Sequence, residues 1–206
     1  MSRSAPISRT RRSRIGGFSM VELGVSLTVL LILTAIAIPS LMRSFRTYQL
    51  NDAAARLSDM LKFTRFEAVR RNRQVCFLMK QNATTGAWTF GTDSTCGGTL
   101  DANGKQQVIA GFATLLLPNQ SGLPGQGPIC SLFKTTGPCL NDTLSGINGS
   151  TLTFDTRGAV SGLIAYVFYV GSDADPEFGY RAVVLLPSGS TQIWTAPNGG
   201  TWQQAG

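Results

Sequence analysis

Gly16-Gly17-Phe18-Ser19-Met20-Val21-Glu22-Leu23 is the stretch on which the reading of this chain turns. Five arginines precede it (Arg3, Arg9, Arg11, Arg12, Arg14), with no acidic residue among them. An apolar run follows from Val21 to Ile38, broken only by small or hydroxyl residues and by one carboxylate, Glu22. A helix from Phe18 to Ile38 rises roughly 30 Å, the thickness of a hydrocarbon core. A charged side chain in such a segment costs roughly 2.5 to 3.5 kcal/mol on insertion scales, so an ionisable residue there marks a function.

Basic leader, Gly-Phe junction, glutamate and apolar run resemble, in that order, the class III signal of type IV prepilins. The resemblance implies a peptidase cut between Gly17 and Phe18, followed by methylation of the new N-terminal phenylalanine. It also implies that Glu22 pairs with the terminal ammonium of a neighbouring subunit, because a carboxylate buried among apolar helices needs a partner. An ordinary secretory signal is the competing reading, and Thr34-Ala35-Ile36-Ala37 imitates its cleavage site. Against it, an apolar run of about 18 residues exceeds the usual 7 to 15, and Gly-Phe-Ser-x-x-Glu has no role in that pathway. A plain membrane anchor explains neither Gly17 nor Glu22.

The chain has 206 residues and a formal charge of +7. After a leader of residues 1–17 there is room for one membrane helix and one modest globular head. The positive charge is unevenly placed. Residues 43–73 hold eight Arg or Lys against Asp52, Asp59 and Glu67, whereas residues 74–206 hold five basic against seven acidic side chains. The excess is therefore not that of a nucleic-acid-binding head. Arginines flanking an apolar segment stay cytoplasmic, which sends the C-terminal portion outward, into the periplasm. In that oxidising compartment Cys76, Cys96, Cys130 and Cys139 are expected as disulfides, three connectivities being open. Closeness in the chain favours Cys76–Cys96 with Cys130–Cys139. The absence of His and of C-x-x-C spacing argues against zinc.

Phe18 to about Arg73 reads as one helix in two halves, a membrane half over 18–39 and an amphipathic half over 40–74. Pro39 predicts a kink or local melting near Ala35, because it lacks an amide donor and crowds the carbonyl four residues back. Beyond it Leu50, Ala54, Leu57, Leu61 and Ala68 recur at three- and four-residue steps, a stripe expected to pack on the chain's own head. Arg56, Asp59, Arg70 and Arg73 fall on other faces, and Glu67 and Arg71 form an i,i+4 pair. From Val75 the period becomes that of strands: Val75–Lys80, Ala87–Gly91, Phe112–Leu117, Thr151–Phe154, Leu163–Val170, Arg181–Leu186 and Thr191–Thr195. Pro187-Ser188-Gly189-Ser190 predicts the hairpin turn between the last two. Residues 118–149, rich in Gly and Pro, predict a long irregular loop stapled by Cys130–Cys139.

Past the N-terminal signal the chain resembles the GspH/FimT family of pseudopilins and minor pilins. Leu61 to Cys76 resembles that family's helix end and first strand, with Thr64 and Phe66 where small residues are common. Gly86-Ala87-Trp88-Thr89-Phe90 resembles its Gly-Trp strand, with an alanine inserted. Leu152-Thr153-Phe154-Asp155-Thr156-Arg157-Gly158 and Val183–Gly189 resemble its later strands and turn. The resemblance implies an α+β fold, a long N-terminal transmembrane α-helix packed on a small antiparallel β head over 75–206. It implies a filament subunit of a type IV pilus or type II secretion pseudopilus. Its partners would be other pilins through the helix, the prepilin peptidase and an inner-membrane assembly platform.

Some relatives capture DNA, which requires clustered Lys or Arg to reach phosphates. Arg157 and Arg181 are the candidates on the head, yet its five cations are widely spaced, and nucleic acid is not the expected partner. An enzyme is not expected either: without His the general base would be a carboxylate or lysine, and no Ser or Cys lies in a nucleophile motif. No cofactor is expected. Asp173, Asp175 and Glu177 offer hard oxygen ligands for Ca²⁺, but they lack the glycine and distal glutamate of an EF-hand loop, so a solvated acidic turn is the commoner explanation.

Overall fold

The structure, a computed structural model, describes residues 17, 19–116, 122–125, 127–130, 151–162 and 165–205. It divides into two compact units that part between Met42 and Arg43. One helix, α1 (Met20–Arg71), contributes to both. The melting expected near Ala35 does not occur: α1 runs through Pro39 without interruption. A proline's fixed φ is itself helical, so Pro39 removes one hydrogen bond while its neighbours hold the backbone. Thr34 Oγ1 donates to the Leu30 carbonyl at 2.7 Å in the turn before it.

α1 ends on a Schellman cap. Asn72 takes a left-handed φ of 48°. Its N–H donates to the Val69 carbonyl and the Arg73 N–H to that of Ala68, both at 3.2 Å. Two orphan carbonyls are thereby satisfied, and the chain turns into the first strand.

The strands are β1 (Val75–Gln81), β2 (Trp88–Asp93), β3 (Gln106–Ile109), β4 (Thr114–Leu116), β5 (Thr151–Phe154), β6 (Tyr166–Gly171), β7 (Tyr180–Leu185), β8 (Thr191–Ala196) and β9 (Gln203–Gln204), with a short α2 (Gly127–Cys130) between β4 and β5. All the pairings are antiparallel, and they fall into two sheets of order β3-β2-β1-β5 and β4-β6-β7-β8-β9. This is the expected α+β fold, with the antiparallel strands of the head divided between two sheets. β3 and β9 were not anticipated, since edge strands containing Gln-Gln lack an apolar alternation. β4 is shorter than Phe112–Leu117, and Leu163 lies outside the described residues. The Cys130–Cys139 staple and most of loop 118–149 lie outside them too.

The stripe on α1 does what its spacing predicts. Leu50, Ala54, Leu57, Leu61 and Ala68 are wholly buried in one cluster with Phe77 and Met79 of β1, Phe90 of β2, and Phe168 and Val183 of the second sheet. Phe77 sits at its centre, 6.2 Å from both the Phe90 and Phe168 rings. A second cluster lies on the other face of the larger sheet, where Val167, Tyr169, Ala182, Val184 and Trp194 pack with Ile129 and Trp202. Tyr180–Leu185 is thus buried at every position, which is why β7 is apolar apart from Arg181.

Candidate functional site

In the N-terminal unit the geometry is simple. Gly17 is exposed, Phe18 lies outside the described residues, and the Leu23 N–H donates to the Ser19 carbonyl at 3.0 Å to open the helix. Glu22 stands in the first turn, where a carboxylate also complements the positive end of the helix dipole. Around it Val21, Leu23 and Val25 are all exposed, as are Leu30, Leu31 and Ile36 further along. Glu22 is the only charged residue in Met20–Met42. The segment is long and apolar enough to cross a membrane, and none of its most apolar stretch is buried. It can therefore lie in lipid or against other apolar helices, and its lone carboxylate then needs a cation that this segment does not carry.

In the second unit three devices fix the head. The first is a carboxylate network at the end of α1. Glu67, buried, accepts from Arg70 Nε at 2.9 Å and Arg70 Nη2 at 2.8 Å, and from Arg71 Nε at 2.6 Å. The Arg70 guanidinium holds the Glu67 carboxyl below its ordinary range, with Arg71 assisting, against the opposing effect of burial.

The second device is the loop between β2 and β3. Cys76 of β1 is bonded to Cys96 (S–S 2.02 Å), tying that loop to the first strand. Asp93 is fully buried beside it and accepts from the backbone N–H of Thr95 (3.0 Å), Gly98 (2.7 Å) and Thr99 (3.2 Å) and from Thr95 Oγ1 (2.9 Å). Burial alone would raise its pKa, but these donors outweigh it and lower it. Asp101 holds the other side of the loop by accepting from Ser94 N and Oγ. Sequence reasoning missed Asp93. The signal available was a carboxylate closing an apolar strand before Ser-Thr-Cys-Gly-Gly-Thr, a run of small donors able to wrap it.

Because the Glu67 and Asp93 pKa values lie below their unfolded values of about 4, both carboxylates contribute stability above that pH. That contribution is lost as pH falls through the folded values. The thermal midpoint of the detergent-extracted chain is expected to drop between pH 5 and pH 3, estimated from those reference values. The drop should shrink in the Asp93→Asn, Glu67→Gln double variant, as scanning calorimetry would show. An equal drop in both proteins would mean that other groups govern acid unfolding.

The third device joins the two sheets. The turn Asp155–Gly158 is built on Asp155, whose carboxylate accepts from the Arg157 N–H at 2.9 Å and the Ala159 N–H at 2.8 Å. Val160 bridges to Phe154 and donates its N–H to the Pro187 carbonyl at 2.9 Å. The Leu186 N–H donates to the Ser190 carbonyl at 2.8 Å, closing the predicted hairpin. Gly158 and Gly189 meet there with positive φ, and the Arg65 side chain of α1 lies against both.

The remaining sequence candidates separate. Arg157 is exposed on its turn. Arg181 is only 8% exposed, with Nε donating to Asn51 Oδ1 at 2.6 Å and Nη1 to the Tyr180 carbonyl at 3.0 Å. Its guanidinium ties β7 to α1, and burial lowers its pKa. Arg181 is thus withdrawn as a phosphate contact. Asp173, Asp175 and Glu177 lie along the β6–β7 turn, where the Asp175 N–H donates to Ser172 Oγ at 3.3 Å. No group of three or more His, Cys, Asp or Glu that could hold a metal ion occurs among the described residues.

A long apolar N-terminal helix joined to an antiparallel head by a buried stripe defines a pilin-like protein. Residues 53–189 match the family described as type II transport protein GspH, and the chain belongs to that family of minor pilins and pseudopilins. The matched region begins in the buried stripe of α1 and ends at Gly189. The chain is similar to the type IV minor pilin FimU of Pseudomonas aeruginosa (16% identity, 71% of this chain and 88% of that one, TM-score 0.46). It is also similar to the minor pseudopilin EpsH of the Vibrio cholerae type 2 secretion system (13% identity, 76% and 96%, TM-score 0.36). Among curated proteins none matches.

Proposed function

We propose that the chain is a structural filament subunit, a minor pilin or pseudopilin, without catalytic activity of its own. It waits in the inner membrane with its head in the periplasm. Prepilin peptidase removes residues 1–17 and Phe18 is N-methylated, and an assembly platform then moves the chain into a type IV pilus or a type II secretion pseudopilus. The observation that carries this reading is the exposed apolar stretch of α1 with one carboxylate in its first turn, on a chain whose family is pilin-like. An apolar helix leaves lipid for a bundle of like helices at little solvation cost, so association is decided by packing and by polar pairs. Glu22 supplies the acidic half of such a pair, and a neighbour's terminal ammonium supplies the other.

Intact-mass measurement of the membrane-extracted protein is the test. The expected mass is that of residues 18–206 with one added methyl group. An N-terminus near Ala37 would instead make the protein an ordinary secreted one and remove the filament reading.

A further inference from the structure

A cleft at the Arg46 end of the second unit has no part in the function proposed above. It encloses about 600 Å³ and is lined by Arg46 of α1, by Thr85 of the β1–β2 turn, by Phe112, and by Ser172, Asp173 and Asp175 after β6. The Arg46 guanidinium stacks over the Phe112 ring at 4.3 Å, and Phe112 meets Phe178 edge-on at 5.4 Å. Stacking fixes the guanidinium plane and leaves its N–H edge to donate. Asp175, partly buried, stands in the same cleft. Among the described residues neither Arg46 nor Asp175 is in an ion pair, so the cleft holds a cation and an anion apart. Ser172 Oγ accepts from the Asp175 N–H at 3.3 Å and Thr85 Oγ1 from the Ala87 N–H at 3.4 Å, which leaves both hydroxyl protons to donate.

The place of Arg46 along the chain decides what reaches this cleft. Met42 ends the exposed apolar segment, and Arg43 is the first cation after it. Arg46 follows Met42 by four residues, about 6 Å of helix. With the apolar segment in the hydrocarbon core, Arg46 stands in the headgroup layer, roughly 5 to 8 Å deep on each side. Phe45 and Tyr48, 54% and 67% exposed, flank it as an interfacial aromatic pair.

We propose that the cleft binds the headgroup of a phospholipid carrying both a phosphate and a primary ammonium. The phosphate takes the N–H edge of Arg46 and the two hydroxyls, and the ammonium donates to Asp175. Arg43, exposed one turn earlier on the helix, adds to the positive charge. A headgroup with a phosphate and no cation answers Arg46 but sets a second negative charge against Asp175. A quaternary ammonium brings charge without an N–H to donate. The inference rests on the membrane reading, since the site acts while the chain waits in the bilayer. Entry into a filament then requires release of the lipid, so the cleft holds the subunit in the membrane until assembly draws it out.

The test inserts the full chain into vesicles of equal parts phosphatidylethanolamine, phosphatidylcholine and phosphatidylglycerol, extracts it in mild detergent, and reads the retained lipid by native mass spectrometry. Phosphatidylethanolamine should be retained with about tenfold preference over either of the others. Asp175→Asn, which leaves the Arg46–Phe112 stack untouched, should bring that preference close to parity. Arg46→Gln should lower retention of all three lipids about tenfold. Arg157→Gln, at an exposed cation elsewhere on the head, should change neither. Equal retention of the three lipids, a preference for phosphatidylglycerol, or a phosphatidylethanolamine preference that survives Asp175→Asn overturns the proposal. Unselective retention by an inserted chain removes only the headgroup site, whereas a chain that enters vesicles of no composition removes the membrane reading with it.

Discussion

Gly189→Ala is expected to destabilise the head by about 3 kcal/mol, the largest effect of a methyl group added at any glycine among the described residues. Two costs combine. Gly189 sits at φ +79°, a left-handed conformation that costs an alanine roughly 1 to 2 kcal/mol. Its new Cβ would also run into the Gly158 carbonyl oxygen, with the Arg65 side chain closing off retreat. Relief requires the Pro187–Ser190 hairpin to lift from the Asp155–Gly158 turn. That breaks the bond from the Val160 N–H to the Pro187 carbonyl, which joins the two sheets. Gly199→Ala separates the two costs, because Gly199 has a similar φ of +68° with nothing within 4 Å of a Cβ. For a unit of this size 1 kcal/mol moves the midpoint by about 2 to 4 °C, so the expected losses are roughly 9 °C for Gly189→Ala and 3 °C for Gly199→Ala. Equal losses would show that the two turns do not depend on close approach.

These two turns also show where the sequence could and could not be read. Pro187-Ser188-Gly189-Ser190 is legible as a hairpin because turn chemistry is local. Its contact with Gly158 is not, since it joins residues about 30 apart and depends on how two sheets meet. The stripe from Leu50 to Ala68 is legible for the opposite reason: helical period fixes which side chains share a face, and only one face can be dry. Arg181 was misread as a surface cation because cations are mostly exposed. A lone arginine inside Tyr-Arg-Ala-Val-Val-Leu was the sign that it is buried and needs a partner, which Asn51 provides. Asp93 escaped notice because polar loops look solvated, and its donors are backbone groups that no residue code displays. Phe66 reads in the sequence only as a departure from a small residue, and its 60% exposure was not legible there because helical period alone does not say which positions the head leaves uncovered.

Glu22→Ala is expected to lower incorporation of the subunit into filaments by about two orders of magnitude, the effect of leaving a buried ammonium without its counter-ion at 3 to 5 kcal/mol, less relaxation. Membrane insertion and leader cleavage should be unaffected, since removing a charge from an apolar helix favours insertion. The separation follows from the position of Glu22, in the first turn of a helix otherwise apolar from Met20 to Met42 and exposed throughout. Within that segment the side chain has no second charge to answer it, so its effect is expected only when another subunit arrives. Glu22→Gln should recover only part of the loss, because an amide oxygen accepts a hydrogen bond but carries no charge, and bonds to charged groups are about twice as strong. The measurement is the ratio of the subunit in sheared filament fractions to that in membranes, for wild type and both variants. Equal ratios in all three would remove Glu22 from assembly. The carboxylate would then be a cost borne by the membrane helix with nothing gained, which insertion energetics make hard to sustain.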